Sequence, residues 1–131
     1  MTAYPLTALA TLLSVVMLFW TAIKVGQARG KYDIKAPATS GHEMFDRAFR
    51  VQMNTLEAMA VFLPCLWVYA VTIGDLGAGV TGLVWFLARA WYALTYVSNP
   101  SKRGPGFAIA MLCSIGLWAG GLWGVVKVLM Q

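Results

Sequence analysis

Two sets of polar side chains stand at helical spacing inside apolar stretches of this chain. The first belongs to the string Phe45-Asp46-Arg47-Ala48-Phe49-Arg50-Val51-Gln52-Met53-Asn54-Thr55-Leu56-Glu57, which runs directly into an uncharged segment from Ala58 to Gly74. At about 100° per residue, Arg47, Arg50, Asn54 and Glu57 fall on one helix stripe about 80° wide, with Gln52 off it. The second set is Arg89, Tyr92 and Tyr96, at i, i+3 and i+7, within about 60° of one another. Ionisable groups inside a membrane are costly, so they face a protein interior and serve a function. Guanidiniums grip carboxylates with two parallel hydrogen bonds, and a lone carboxylate such as Glu57 suits an amine. An anionic, zwitterionic peptide matches that inventory.

Other readings of the same residues stay open at this point. Glutathione, with two carboxylates, an ammonium and a thiol, is one such peptide, but a lipid headgroup or organic anion fits the same donors and acceptors. Arg47 reads best as a boundary residue whose guanidinium snorkels to the interface. Tyr92 and Tyr96, with Trp91, could form an interfacial aromatic belt, and Arg89 could pair with Glu57. Snorkelling does not explain Glu57, which lies about two turns inside.

The elements that must position these residues are transmembrane helices. The chain has 131 residues, 60% of them hydrophobic and 11% charged, with a mean hydropathy of +0.69. Soluble domains carry about 25% charge, so this is an integral membrane protein. A helix needs about 20 residues to cross about 30 Å of hydrocarbon. Four segments qualify: Ala3 to Val25, Arg47 to Ile73, Leu76 to Val97 and Phe107 to Leu129. They predict an all-α, four-helix up-down bundle, with residues 1–131 forming one domain. The first segment lacks the basic start and small-residue cleavage site of a signal peptide and reads as a retained helix. Gly26 to Met44 reads as a polar loop. Gly74-Asp75-Leu76-Gly77 forces a tight helical hairpin, and Ser98 to Gly106 is rich in turn formers.

The net charge of +5 reflects orientation, not nucleic-acid binding, because the basic residues cluster in short loops. Lys24, Arg29, Lys31, Lys35, Arg47, Arg50, Lys102 and Arg103 fall around the first and third loops, which places those loops in the cytoplasm. Lys127 opposes this weakly. Cys65 and Cys113 sit in apolar runs and read as small buried hydrophobes. His42 has no Cys or His nearby in the loop, so no metal site is expected. Gly116, Gly120 and Gly124 make a small-residue ridge on the fourth helix, read as packing within the bundle.

The string Arg47-x-x-Arg50-x-Gln52-x-Asn54-x-x-Glu57 resembles the second-helix motif of the MAPEG family, the membrane-associated proteins in eicosanoid and glutathione metabolism. Leu83-Val84-Trp85-Phe86-Leu87-Ala88-Arg89, followed by Tyr92 and Tyr96, resembles the third helix of its leukotriene synthase branch. Arg103 falls where that branch carries a thiol-activating arginine. The resemblance covers essentially the whole chain. It implies a homotrimer with glutathione sites between subunits near the cytoplasmic face. It implies that Arg50, Asn54 and Glu57 hold glutathione, with Gln52 nearby, Tyr92 and Tyr96 lining the site, Arg29 adding a contact and Arg103 stabilising the thiolate. No metal is involved.

Departures from the motif refine the expectation. Asp46 stands where the family often has glutamate. Ala58 stands where the leukotriene branch has tyrosine, and Gly30 where that branch has a second arginine. These argue against a dedicated leukotriene synthase and for a membrane-bound glutathione transferase acting on apolar electrophiles, with lipid-hydroperoxide peroxidase activity in view. Pro100 complicates the placement of Arg103 on the third-helix face and makes Lys102 a rival cation. The alternatives are a non-catalytic lipid-binding or partner-presenting protein and a structural subunit of a larger complex. The short, loop-poor chain is compatible with a bacterial inner membrane.

Overall fold

The computed structural model describes residues 3–131. Four α-helices follow one another: α1 (Pro5–Tyr32), α2 (Glu43–Thr72), α3 (Asp75–Ser98) and α4 (Gly104–Leu129). A short 3-10 turn, Pro100–Lys102, precedes α4. α2 and α3 form the centre, each packing on the other and on both flanking helices, α1 and α4. The four-helix membrane bundle predicted from hydropathy is therefore the observed architecture.

Hydropathy alone identifies only three of these helices as membrane-crossing: α1, α2 and the stretch Pro100–Leu129. α3 carries Asp75, Arg89 and the polar tip that includes Thr95 and Tyr96. Its central position explains how that sequence is accommodated. Arg89, Tyr92 and Trp85 point inward and are at most 2% exposed. The outer faces of all four helices carry exposed Leu, Val, Ile, Phe and Trp, the surface a lipid solvent requires.

Two boundaries differ from expectation. α1 continues two turns beyond Val25 to Tyr32, because Gln27, Ala28, Arg29 and Lys31 are good helix formers and basic residues favour a helix C-terminus. It ends where Asp33 turns left-handed at φ 54° and its N–H bonds back to the Arg29 carbonyl. The first loop thus shrinks to residues 33–42. α2 begins at Glu43, capped by His42, whose Nδ1 accepts from the Met44 N–H at 3.1 Å. The His42 ring stacks on Tyr32 at 3.8 Å, joining the ends of α1 and α2.

The core between α2, α3 and α4 is built around Phe62 and Trp85, stacked at 4.0 Å and nearly parallel. Leu66, Ala70, Ala110 and Leu117 complete it. Two members of the glycine ridge serve intramolecular packing as expected: a β-carbon at Gly120 would collide with Tyr69, and one at Gly124 with Thr72, both on α2. Gly116 faces open space and takes no part.

At the end opposite the polar cluster, Asp75 fastens the hairpin to α1. Its carboxylate accepts from the Thr7 N–H and hydroxyl, both at 2.8 Å, and from the Leu6 N–H at 3.1 Å. These are donors left free by the first turn of α1, whose N-cap Tyr4 offers no side-chain acceptor. Partial desolvation pushes the Asp75 carboxyl up, but the hydrogen bonds from Thr7 and Leu6 outweigh it and hold the group below its usual range. A carboxyl with a depressed folded-state pKa stabilises the fold above the unfolded value of about 4 and loses that contribution in more acid solution. Asp75→Asn is therefore expected to lower the melting temperature at pH 7, and the gap to wild type should close as the pH falls below about 4. A gap that is constant from pH 7 to pH 3 would show that the charge does not matter.

Candidate active site

The C-terminal ends of α1 and α3 and the N-terminal ends of α2 and α4 share one end of the bundle. Near that end α2, α3 and α4 diverge around a cavity of about 750 Å³. α2 contributes Asn54, Glu57, Ala58 and Val61; α3 contributes Trp85, Arg89 and Tyr92. The link and α4 add Ser101, Arg103, Phe107, Ala110, Met111 and Ser114. Asn54, Glu57, Tyr92 and Arg103, which the sequence analysis took from three separate segments, thus border one space.

Contacts within the cavity are specific. Asn54 Nδ2 donates to the Tyr92 hydroxyl at 2.6 Å, so the phenol oxygen is held as an acceptor and its own proton remains available to a ligand. Tyr92 is 2% exposed and so is no lipid-facing belt residue; its neighbour Trp91, at 46%, fits that description. The Arg89 guanidinium lies 4.2 Å from the Tyr92 ring centre and donates from Nη2 to Thr55 Oγ1 at 3.2 Å. The alternative pairing of Arg89 with Glu57 does not form: Glu57 is exposed while it lines the cavity, and Arg89 donates to Thr55 instead.

Arg103 reaches the cavity by an unexpected route. α3 stops at Ser98, Asn99 is extended, and Pro100 starts the 3-10 turn, so Arg103 does not continue the α3 face. It is the N-cap of α4. Its guanidinium still returns to α3, 5.6 Å from the Tyr96 ring centre, while Nη1 donates to the Pro100 carbonyl at 2.8 Å. Lys102, the rival cation, is not among the lining residues.

Arg50 and Tyr96 line an adjacent, more open cavity of about 600 Å³ with Ser40, Gly41, His42, Glu43, Asp46 and Arg47. Tyr96 packs against Tyr92 at 5.7 Å between ring centres, which makes it the partition between the two spaces. Arg47 donates to the Val97 carbonyl at 3.0 Å and pairs with Glu43 at 2.6 Å, tying α2 to the end of α3 as befits a boundary residue. Gln52 lines neither cavity. Arg29 also lines neither: it donates to the Ala38 carbonyl at 2.8 Å and lies 4.9 Å from the Phe45 ring centre, bracing the first loop.

Phe107, Ala110, Met111 and Ser114 recur at i, i+3, i+4 and i+7, the signature of one helix face, but nothing in their residue types marks them as lining a site. Phe107, Ala110 and Met111 form an apolar wall, to which Ser114 adds a hydroxyl. Phe107, Met111 and Val61 are 46%, 44% and 57% exposed, so the cavity is open along its apolar side. Gly106 brings this wall close, since a β-carbon there would lie 2.8 Å from the Tyr92 nitrogen and 3.0 Å from the Ala88 carbonyl oxygen.

These features define an integral membrane helical bundle with a cavity at one end that has a polar and an apolar side. A family model described as the MAPEG family matches residues 7–123, and the chain belongs to that family. It is 44% identical over 126 residues to an uncharacterized protein of Synechocystis sp., covering 96% of this chain and 89% of that protein. It is similar to microsomal glutathione S-transferase 2 of Bos taurus, 33% identical over 106 residues, or 81% of this chain and 73% of the relative. Leukotriene C4 synthase of Rattus norvegicus is 34% identical over 98 residues, or 75% of this chain and 65% of the synthase.

Proposed function

We propose that this protein is a membrane-bound glutathione transferase that conjugates glutathione to apolar electrophiles entering from the bilayer and also reduces lipid hydroperoxides. The observation that carries this reading is the convergence of Asn54, Glu57, Tyr92 and Arg103 on one cavity with a charged side and an apolar side. The names of two relatives, a glutathione S-transferase and a leukotriene synthase, support it.

In this reading the peptide straddles Tyr96. Its carboxylates meet Arg50 in the outer cavity, with Gln52 and Arg29 nearby, its ammonium meets Glu57, and its thiol turns toward Arg103. A protonated thiol is a poor nucleophile, with a pKa of about 8.5 for free cysteine, and an adjacent guanidinium favours the anion. The thiolate then attacks a hydrophobic molecule held against Phe107, Met111 and Val61. Holding both reactants in one cavity supplies proximity, worth several kcal/mol in favourable geometry. Arg50 and Glu57 lie on the exposed side of α2; a homotrimer, with a neighbouring copy covering them, would remove them from lipid. The polar end faces the cytoplasm in this reading, where glutathione is supplied.

The test is conjugation of glutathione to a chlorinated nitroaromatic by purified protein. Wild type should turn over, and Arg50→Ala and Glu57→Gln should each raise the Kd for glutathione at least about tenfold, the usual cost of a lost charged hydrogen bond. Glutathione binding without turnover of any electrophile or peroxide would favour a lipid-binding or partner-presenting protein instead. Absence of both would sink the reading.

A further inference from the structure

The cavity holds two guanidiniums at different depths, and only Arg103, exposed at its mouth, has been given a task. Arg89 lies nine residues before the end of α3, about 14 Å further along the helix axis. It is 2% exposed and ranks among the largest fully buried side chains. Among the described residues no carboxylate lies within salt-bridge reach of it. Nη2 is occupied by Thr55 and one face by the Tyr92 ring, but Nε is buried with no hydrogen-bond partner. An unpaired buried charge is costly, and a buried donor left unsatisfied adds to that cost. Around it the cavity changes character: Asn54, Glu57 and Tyr92 lie on the polar side, and Trp85, Val61, Ala110 and Met111 on the apolar side. Arg89 therefore stands where an apolar co-substrate would meet the thiolate.

We infer that Arg89 is a catalytic residue on the electrophile's side, a donor that stabilises negative charge developing on an oxygen of the apolar co-substrate. This rests on the glutathione-transferase reading. With an α,β-unsaturated aldehyde, the thiolate sulfur bonds to the β-carbon. The carbon–carbon π pair shifts and leaves the carbonyl oxygen as an enolate, held by the Arg89 guanidinium. The α-carbon then takes a proton from water, replacing the one the thiol released on ionising. With benzyl chloride the departing pair leaves on chloride and no oxyanion forms. Arg89 thus gives the site a preference for electrophiles that place charge on oxygen. Removal of one preorganised donor to such an oxyanion lowers rates about 100- to 1,000-fold.

The experiment compares kcat/KM for a long-chain α,β-unsaturated aldehyde and for benzyl chloride in wild type, Arg89→Gln and Arg89→Lys, purified in neutral detergent. The ratio of aldehyde to chloride should fall about 100-fold in Arg89→Gln and less than about tenfold in Arg89→Lys, which keeps a charged donor. Glutathione binding in the same samples separates a standing site from a collapsed one. Should neither variant fold, octanoate and methyl octanoate are compared as inhibitors of wild type. The carboxylate, a stable oxyanion, should bind at least about tenfold more tightly. An unchanged ratio in a folded Arg89→Gln variant, or equal inhibition by acid and ester, overturns the role of Arg89 and leaves the transferase reading intact. Failure of wild type to bind glutathione or turn over either electrophile removes both.

Discussion

Arg103→Ala is expected to lower kcat/KM for glutathione conjugation at neutral pH by about 30-fold, while glutathione affinity stays within about threefold. The figure follows from thiol ionisation, since one adjacent cation lowers an acidic pKa by about 1–3 units. A thiol moved from about 8.5 to about 6.5 goes from a few per cent to about three-quarters ionised at pH 7. Removal of the guanidinium reverses that shift. The pH–rate profile of the variant should therefore rise about two units later than that of wild type, and the two should converge near pH 9. A structural loss has a different signature. Arg103 is exposed and its hydrogen bond goes to a neighbouring carbonyl, Pro100, so its removal opens no core, whereas a structural loss would not be repaired by raising the pH. Lys102→Ala, one residue away but outside the cavity lining, should change the rate less than about twofold. A matched loss in Lys102→Ala, or a variant profile with an unmoved midpoint, would remove Arg103 from the role of thiol activator.

Gly106→Val is expected to abolish glutathione binding and to destabilise the bundle by about 3 kcal/mol or more. A β-carbon at this position meets the Tyr92 nitrogen at 2.8 Å and the Ala88 carbonyl oxygen at 3.0 Å. Both are backbone atoms of α3, which cannot swing aside as a side chain can, so α4 itself has to retreat. That displaces Arg103 and Phe107 on one side of the cavity from Asn54 and Tyr92 on the other. Gly116→Ala on the same helix is the matched control, because nothing lies within 4 Å of a β-carbon there; it should melt as wild type does. Thermal unfolding in detergent, with glutathione binding by calorimetry, reads both effects. A Gly106→Val protein with wild-type melting and affinity would show that the α3–α4 contact does not shape the site.

Much of this site is legible in the sequence because helical periodicity projects directly onto a face. Asn54 and Glu57 on one stripe and Tyr92 on another needed only the tight hairpin at Gly74 to come together. The lengths and limits of the apolar segments located all four helices, although α3 falls below the hydropathy of a free-standing span: it is solvated by its neighbours, so it can carry Arg89 and its tyrosines. The wall of Phe107, Ala110 and Met111 was equally periodic, but apolar residues on an apolar helix do not announce which of its faces borders a cavity.

What escaped the sequence depended on azimuth and on chain breaks. Arg89 and Glu57 border the same cavity with opposite charge, yet Arg89 is buried against Thr55 and Tyr92 while Glu57 stays exposed and unpaired with it, a choice that depends on the rotation of α2 and α3 about their axes. Arg103 arrives through the 3-10 turn after Pro100, a connection whose direction no periodicity encodes. Arg29, which the predicted boundary at Val25 left in the loop, lies in the last turn of α1, and the first loop supplies the Ala38 carbonyl that fixes its direction. Arg50 shares the Asn54 stripe, one turn nearer the start of α2, and lines the outer cavity with Tyr96 rather than the inner one.

Whether the cavity holds glutathione as a thiolate is tested most directly by titrating the ultraviolet thiolate absorbance of glutathione bound to the wild-type protein. Half-ionisation about two units below the free value of about 8.5 is the predicted result. Bound glutathione that titrates like the free thiol, or no binding at millimolar concentration, would contradict it.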